Sequence, residues 1–186
     1  LIEKNEKIRY KINGKITSNN LSINKKDPIK INEITINSGF YKLNESIIID
    51  TSSLILDNIN ININNGRYED SEYDLNLSII EQNISNIIKK APEEIMKVFE
   101  DYKIDGIITL SAKISKSEIN KSPKILSEFK VSNGSYHNDY APFYLEDVSF
   151  LGELNNGEDR NLESSILSIN NFTSKKNGYP FNGNFK

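Results

Sequence analysis

One histidine, no cysteine and no tryptophan among 186 residues leave few side chains able to do covalent chemistry. Without cysteine there is neither a thiolate nucleophile nor a disulfide. A single histidine cannot build a multi-histidine zinc centre, so a metal site would have to be carboxylate and carbonyl oxygen, suited to calcium or magnesium. Any nucleophilic triad would run through His137, which sits in Tyr136-His137-Asn138-Asp139-Tyr140. That segment reads as a polar loop with an exposed imidazole, and no Gly-x-Ser-x-Gly accompanies it. Glu69-Asp70-Ser71-Glu72-Tyr73-Asp74 gathers carboxylates but lacks the ligand spacing and central glycine of an EF-hand loop, so it reads as a solvated turn. No carboxylate pair is placed across a cleft by the sequence, which leaves a glycosidase without support. The expectation is a chain that is not an enzyme and has no cofactor and no metal.

Lysine and arginine number 23 against 26 aspartate and glutamate, a net charge of −3 spread along the chain. That balance opposes a nucleic-acid footprint. Apolar residues make up 37%, rich in isoleucine beside abundant asparagine, the bias of AT-rich coding sequence. Asn20-Leu21-Ser22, Asn44-Glu45-Ser46 and Asn171-Phe172-Thr173 are by-products of that bias and not read as glycosylation sites. The length suits one domain with a real core. No run approaches the roughly 18 apolar residues of a membrane-spanning helix. The chain begins with Leu1, not Met, and closes inside a strand-like pattern, so it is expected to be a piece of a longer protein.

The elements that would position any site follow a period of two. In Lys7 to Thr17, Ile8, Tyr10, Ile12 and Ile16 alternate with Lys7, Arg9, Lys11, Asn13 and Lys15, the pattern of a strand with one apolar face. Ile29 and Ile31 alternate likewise, Glu33 breaks parity, and Ile34 and Ile36 resume on the other phase, as a bulge requires. Ile47 to Leu56 and then Ile59, Ile61 and Ile63 follow, with Asn65-Gly66 expected to turn the chain. Leu75, Leu77 and Ile79 make another strand.

The period then changes once. Ile80, Ile84, Ile87, Ile88 and Ala91 take helical spacing, extended by Ile95, Val98 and Phe99 beyond Pro92. Ser78-Ile79-Ile80-Glu81 matches a capping box, and Pro92-Glu93-Glu94 would open a second short helix. The isoleucine stripe would lie on the sheet as core or cap one end of a groove. Lys89, Lys90 and Lys97 are balanced by Glu81, Glu93, Glu94 and Glu100, so no basic membrane-binding face emerges.

Strands return with Ile104, Gly106, Ile108, Leu110, Ala112 and Ile114 on one face, and with Ile125, Ser127, Phe129 and Val131 on another. Asn133-Gly134 is a turn signal. Phe143 to Leu154 shows a parity slip at Glu146-Asp147, and Leu162 to Phe172 and Tyr179 to Phe185 complete about ten strands. The expected fold is mostly β: one curled antiparallel sheet forming an open groove or a partly open β-sandwich. It forms a single unit over 1–186, with a short helical insertion around 79–101 between strands in 1–78 and 102–186.

The latter half carries a family pattern. Phe129-Lys130-Val131-Ser132-Asn133-Gly134 is followed by Leu145-Glu146-Asp147-Val148-Ser149-Phe150-Leu151-Gly152, then Asn156-Gly157, Leu167-Ser168-Ile169-Asn170-Asn171-Phe172 and Pro180-Phe181-Asn182-Gly183. In order and spacing these resemble the AsmA family of bacterial envelope proteins, particularly its Bacteroidota versions, over roughly residues 100–186. The first half resembles the family only in its Gly-Lys-Ile entry and strand-rich style. At Ile114-Ser115-Lys116 the chain departs from the pattern, which has a strand-ending glycine there.

The resemblance implies a periplasmic β-rich body on the inner membrane, anchored by a helix outside this segment. It also implies a part in outer-membrane biogenesis, by shielding or conducting phospholipid; envelope protein partners stay unspecified, and no catalytic residue belongs to the pattern. On that reading Ile8, Tyr10, Ile12, Ile59, Ile61, Ile63, Ile108, Leu110, Phe129 and Val131 would line a groove for acyl chains. The same side chains would equally fill the core of a sealed β-sandwich, a binding or adhesion module at the cell surface.

Overall fold

Alternation over most of the chain produces strands and little else. The computed structural model describes residues 9–22, 30–90, 101–138, 140, 143–161 and 163–186. Ten strands follow in order: β1 (Arg9–Ser22), β2 (Lys30–Leu43), β3 (Ser46–Leu56), β4 (Ile59–Glu69), β5 (Glu72–Asn83), β6 (Tyr102–Lys116), β7 (Lys124–Asn138), β8 (Phe143–Asn155), β9 (Ile166–Lys176) and β10 (Tyr179–Phe185). Each pairs antiparallel with its neighbours in sequence, giving one ten-stranded sheet in the order β1 to β10 that does not close on itself. The topology is a meander, in which every pairing is local.

Among the described residues helical structure is shorter than the sequence suggests. Ser78 to Glu81, the expected capping box, lies within β5, and α1 spans only Ile84–Ile88. Its cap is Asn83, whose side chain accepts the Ser85 N–H at 2.9 Å. Pairing of Ile79 with Leu110 keeps this part of the chain in the sheet despite its helical spacing. The helix expected after Pro92 lies outside the described residues.

Two of the Asn-Gly pairs expected to turn the chain also differ from expectation. Asn65-Gly66 lies inside β4 and Asn133-Gly134 inside β7, each at a shift of register instead of a hairpin turn. Gly66 is needed for room: a Cβ there would stand 2.7 Å from Leu75 Cδ2 and 3.3 Å from Ile49 Cβ. The turns fall at Asn44-Glu45, Asp57-Asn58, Asp70-Ser71 and Asn177-Gly178, with the first residue left-handed in each case. Asparagine and aspartate tolerate that conformation best among residues with a side chain.

The parity slip at Glu146-Asp147 is a real bulge, with Asp147 at φ 52° and the β8–β9 register shifting between Glu146 and Ser149. It belongs to a series. Glu81, Gly106, Asn133, Asp147 and Asn171 place one positive-φ residue in each of β5 to β9, all at or beside register shifts. Bulges bend a strand and increase its twist, so this band imposes curvature across half the sheet.

The break at Glu33 is likewise structural, since the β1–β2 register shifts between Thr17 and Leu21, opposite Glu33 and Ile31. Asp57 completes it from the β3–β4 turn. Its Oδ1 accepts the N–H groups of Asn32 at 2.9 Å and Glu33 at 2.8 Å, and its other oxygen pairs with Lys90, just beyond α1. Burial pushes the Asp57 carboxyl up, but the ammonium and the two N–H groups outweigh it and hold the group below its ordinary value. A depressed folded-state value means that the stabilisation is complete above the ordinary carboxylate range and is lost as pH falls through the folded value. Asp57→Ala is therefore expected to cost about 2–3 kcal/mol at neutral pH. In urea titrations the gap between the two proteins should narrow on acidification below about pH 4.

Candidate functional site

Directly paired residues of an antiparallel sheet share a face, so the registers sort every side chain. One row crosses all ten strands: Gly14, Ile36, Leu54, Ile61, Ile79, Leu110, Phe129, Gly152, Ile169 and Phe185. A parallel row runs Ile12, Ser38, Ser52, Ile63, Leu77, Ala112, Ser127, Leu154 and Leu167. Neither row contains a charge. Of the three serines in the second row, Ser38 and Ser52 hydrogen-bond to each other at 2.8 Å. One residue over, the opposite face reads Asn13, Asn37, Ser53, Asn62, Ser78, Ser111, Glu128, Glu153 and Ser168. Along these rows the sheet is apolar on one side and polar on the other, with Ile55, Leu126, Leu151 and Ile166 standing among the polar residues of the second side.

Register brings together nine of the ten residues expected to line a groove. Tyr10, Ile12, Ile59, Ile61, Ile63, Ile108, Leu110, Phe129 and Val131 all lie on the apolar face, while Ile8 falls outside the described residues. Their exposures differ. Ile59 and Val131 are buried at 6% and 4%, Tyr10 and Ile12 are exposed at 48% and 51%, and the others are half-buried. Among the described residues the only buried hydrophobic side chains are Ile31, Ile59, Val131 and Val148. A face of this size covered by a second sheet would bury dozens.

Sequence reasoning named Tyr10 and Phe129 but missed the other aromatic residues of this face, Phe40, Phe150, Phe172, Phe181 and Phe185. Phe129 meets Phe150 edge-on at 6.0 Å, Phe150 stacks on Phe172 at 6.1 Å, and Phe172 meets Phe181 and Phe185 at 5.9 and 5.5 Å. This ladder runs from β7 to the edge strand β10, and Tyr10 stacked on Phe40 at 5.3 Å repeats the theme at β1 and β2. Alternation within β8 and β9 could have revealed it once the bulges at Asp147 and Asn171 were allowed for.

The candidate chemical groups have other places. His137 lies in β7 and not in a loop, half-buried, with its ring edge-on to Tyr144 at 5.9 Å. Pairing with Lys103 of β6 turns this segment into strand. The acidic run is the β4–β5 turn and its flanks. There Glu69 accepts from Ser46 at 2.7 Å and pairs with Arg67, both of which hold its carboxyl below the ordinary value. Asp74 pairs with Lys113 at 2.9 Å, and Glu72 accepts the Glu118 N–H at 3.1 Å. Among the described residues no group of three or more His, Cys, Asp or Glu is arranged to hold a metal ion, and no helix is long and apolar enough to cross a membrane. No family model, curated protein or solved structure matches the chain.

Proposed function

We propose that this chain is a segment of an AsmA-like envelope protein that shields or conducts phospholipid acyl chains along the apolar face of its sheet. The setting is outer-membrane biogenesis and lipid homeostasis, on the periplasmic side of the inner membrane, with the membrane anchor outside this segment. The carrying observation is the uncharged row that crosses ten strands on a face with no second sheet over it among the described residues. At about 4.8 Å between strands the row is roughly 43 Å long, more than the ~30 Å hydrocarbon core that two acyl chains fill end to end.

Burying a methylene stabilises by about 0.8 kcal/mol, so ten methylenes half-covered on the face contribute roughly 4 kcal/mol without any polar clamp. The head group stays in water, and no catalytic residue is assigned. A sealed β-sandwich binding module is less well supported, because a sandwich needs two facing sheets and the strands here make one.

Native mass spectrometry of the segment purified from a lipid-containing host tests the reading. Phospholipid should co-purify in defined stoichiometry and be identified after extraction. A well-folded monomer free of lipid would overturn the conduit.

A further inference from the structure

An open sheet ends in two edge strands, and among the described residues no strand pairs with the outer side of β1 or of β10. Unpaired N–H and C=O groups along such an edge recruit further strands unless charge or proline guards them. β1 is guarded: Arg9, Lys11 and Lys15 are exposed, Lys15 is engaged by Glu33 of β2, and the strand has no acidic residue of its own. A second copy brought against β1 would set cations against cations. β10 reads Tyr-Pro-Phe-Asn-Gly-Asn-Phe and holds no charge at all. Its Tyr179, Phe181 and Phe185 are 77%, 50% and 47% exposed, and the two phenylalanines are the open end of the aromatic ladder.

The hairpin fixes which groups of β10 point outward. Asn177-Gly178, at φ 51° and 80°, is a two-residue turn closed by Lys176 and Tyr179. The closing pair of such a turn exchanges hydrogen bonds, and bonded and non-bonded pairs alternate from there. Phe181 and Gly183 are then bonded to β9, while the main-chain groups of Pro180 and Asn182 face away from it. Proline stands where β9 needs no N–H, and Asn182 offers both of its groups to a further strand.

We propose that β10 is a dimerisation edge, pairing antiparallel with β10 of a second copy about a two-fold axis at Asn182. The strand suits itself as a partner, since two uncharged edges do not repel. In that register Asn182 faces Asn182 of the second copy and exchanges two hydrogen bonds with it. Phe181 faces Gly183, and Tyr179 faces Phe185, all on the apolar side. Phe185 already covers Gly183, where a Cβ would stand 2.9 Å from its Cζ, so the incoming Phe181 meets that ring and adds a step to the ladder. The same device works within the sheet, where the ring of Phe129 covers its direct partner Gly152. The axis is perpendicular to the sheet, so both apolar faces lie on one side of a sheet twice as wide. The proposal stands apart from the lipid reading.

Sedimentation velocity of the intact chain from about 1 µM to about 1 mM tests it, with Asn182→Lys and Asn182→Glu alongside. The expected result is a monomer–dimer equilibrium with a midpoint of about 10–100 µM, as suits a small interface, and no larger species. Either substitution sets like charges directly opposite each other at the axis and should weaken the dimer about fivefold. An equimolar mixture of the two sets opposite charges there and should recover it. Asn182 is exposed, so the unfolding midpoint should not move. A monomer throughout would overturn the proposal. Species that keep growing with concentration would mean β10 joined to β1 of the next copy and would overturn the two-fold arrangement. A dimer indifferent to both substitutions, or one that mixing does not recover, would put the contact elsewhere and overturn it as well.

Discussion

Replacing Ile61 and Phe129 together by Asp is expected to remove co-purifying phospholipid and leave the strand content intact. Both belong to the row that crosses the sheet, Ile61 between Leu54 and Ile79, Phe129 between Leu110 and Gly152. An acyl chain on that row would have to lie against a carboxylate at two points. Either the carboxylate gives up its water or the chain lifts off the face, and both lose the apolar contact. Each side chain carries about 1.5–3 kcal/mol of apolar burial when fully covered, so the pair should lower affinity by about a hundredfold or more.

Both positions are half-buried, so the cost to folding stays in the usual range of about 1–3 kcal/mol for each substitution. The control is on the other face: Asn62→Asp with Ser111→Asp adds the same two charges to β4 and β6 within the polar row. Lipid retained in the control and lost in the Ile61 and Phe129 variant is the expected result of native mass spectrometry. Lipid retained in both would mean that the row is not the binding surface.

Alternation made most of this face legible. A strand buried on one side must repeat at two residues, and Ile59, Ile61 and Ile63 between asparagines admit no other reading. Even the bulge at Asp147 showed as a change of parity. What failed were signals that act locally and lose to the sheet. Asn-Gly is a turn signal because both residues accept φ > 0, but a bulge makes the same demand, and Asn133 at φ 52° meets it within β7. Ser78 to Glu81 had the residues of a helix cap, yet Leu77 and Ile79 already held β5 against Ala112 and Leu110. The open cavity where α1 meets β6, β7 and β8, lined by Ile88, Tyr102 and Tyr144 among others, was invisible because no spacing in the chain encodes that meeting. His137 was misplaced for a related reason: its polar neighbours suit a loop, and pairing with Lys103 on one side and Tyr144 on the other makes them a strand.

The bulge band predicts the largest single-residue effect on stability, and it lies at Gly106. Its φ is 137°, a conformation that side chains rarely adopt, and a Cβ there would stand 2.8 Å from the Cα of Gly134 on the neighbouring strand. Backbone cannot move aside as a side chain can, and Gly134 is itself confined, since a Cβ on it would lie 3.0 Å from the Val148 carbonyl oxygen. Gly106→Ala combines backbone strain of about 1–3 kcal/mol with overpacking of similar size, and is expected to destabilise by about 3–4 kcal/mol in urea titrations. Gly14 and Gly39 supply the contrast within the same sheet. Neither has positive φ, and a Cβ on either meets nothing within 4 Å. Alanine there restricts the unfolded chain without strain in the folded one, so each substitution should be neutral or stabilise by up to about 1 kcal/mol. Opposite signs at Gly106 and Gly14 would show that the curvature of β5 to β9 is held by backbone geometry at the bulges, not by side-chain packing over the apolar face. A face with no second sheet over it among the described residues calls for that arrangement, because such a sheet must take its shape from its own strands.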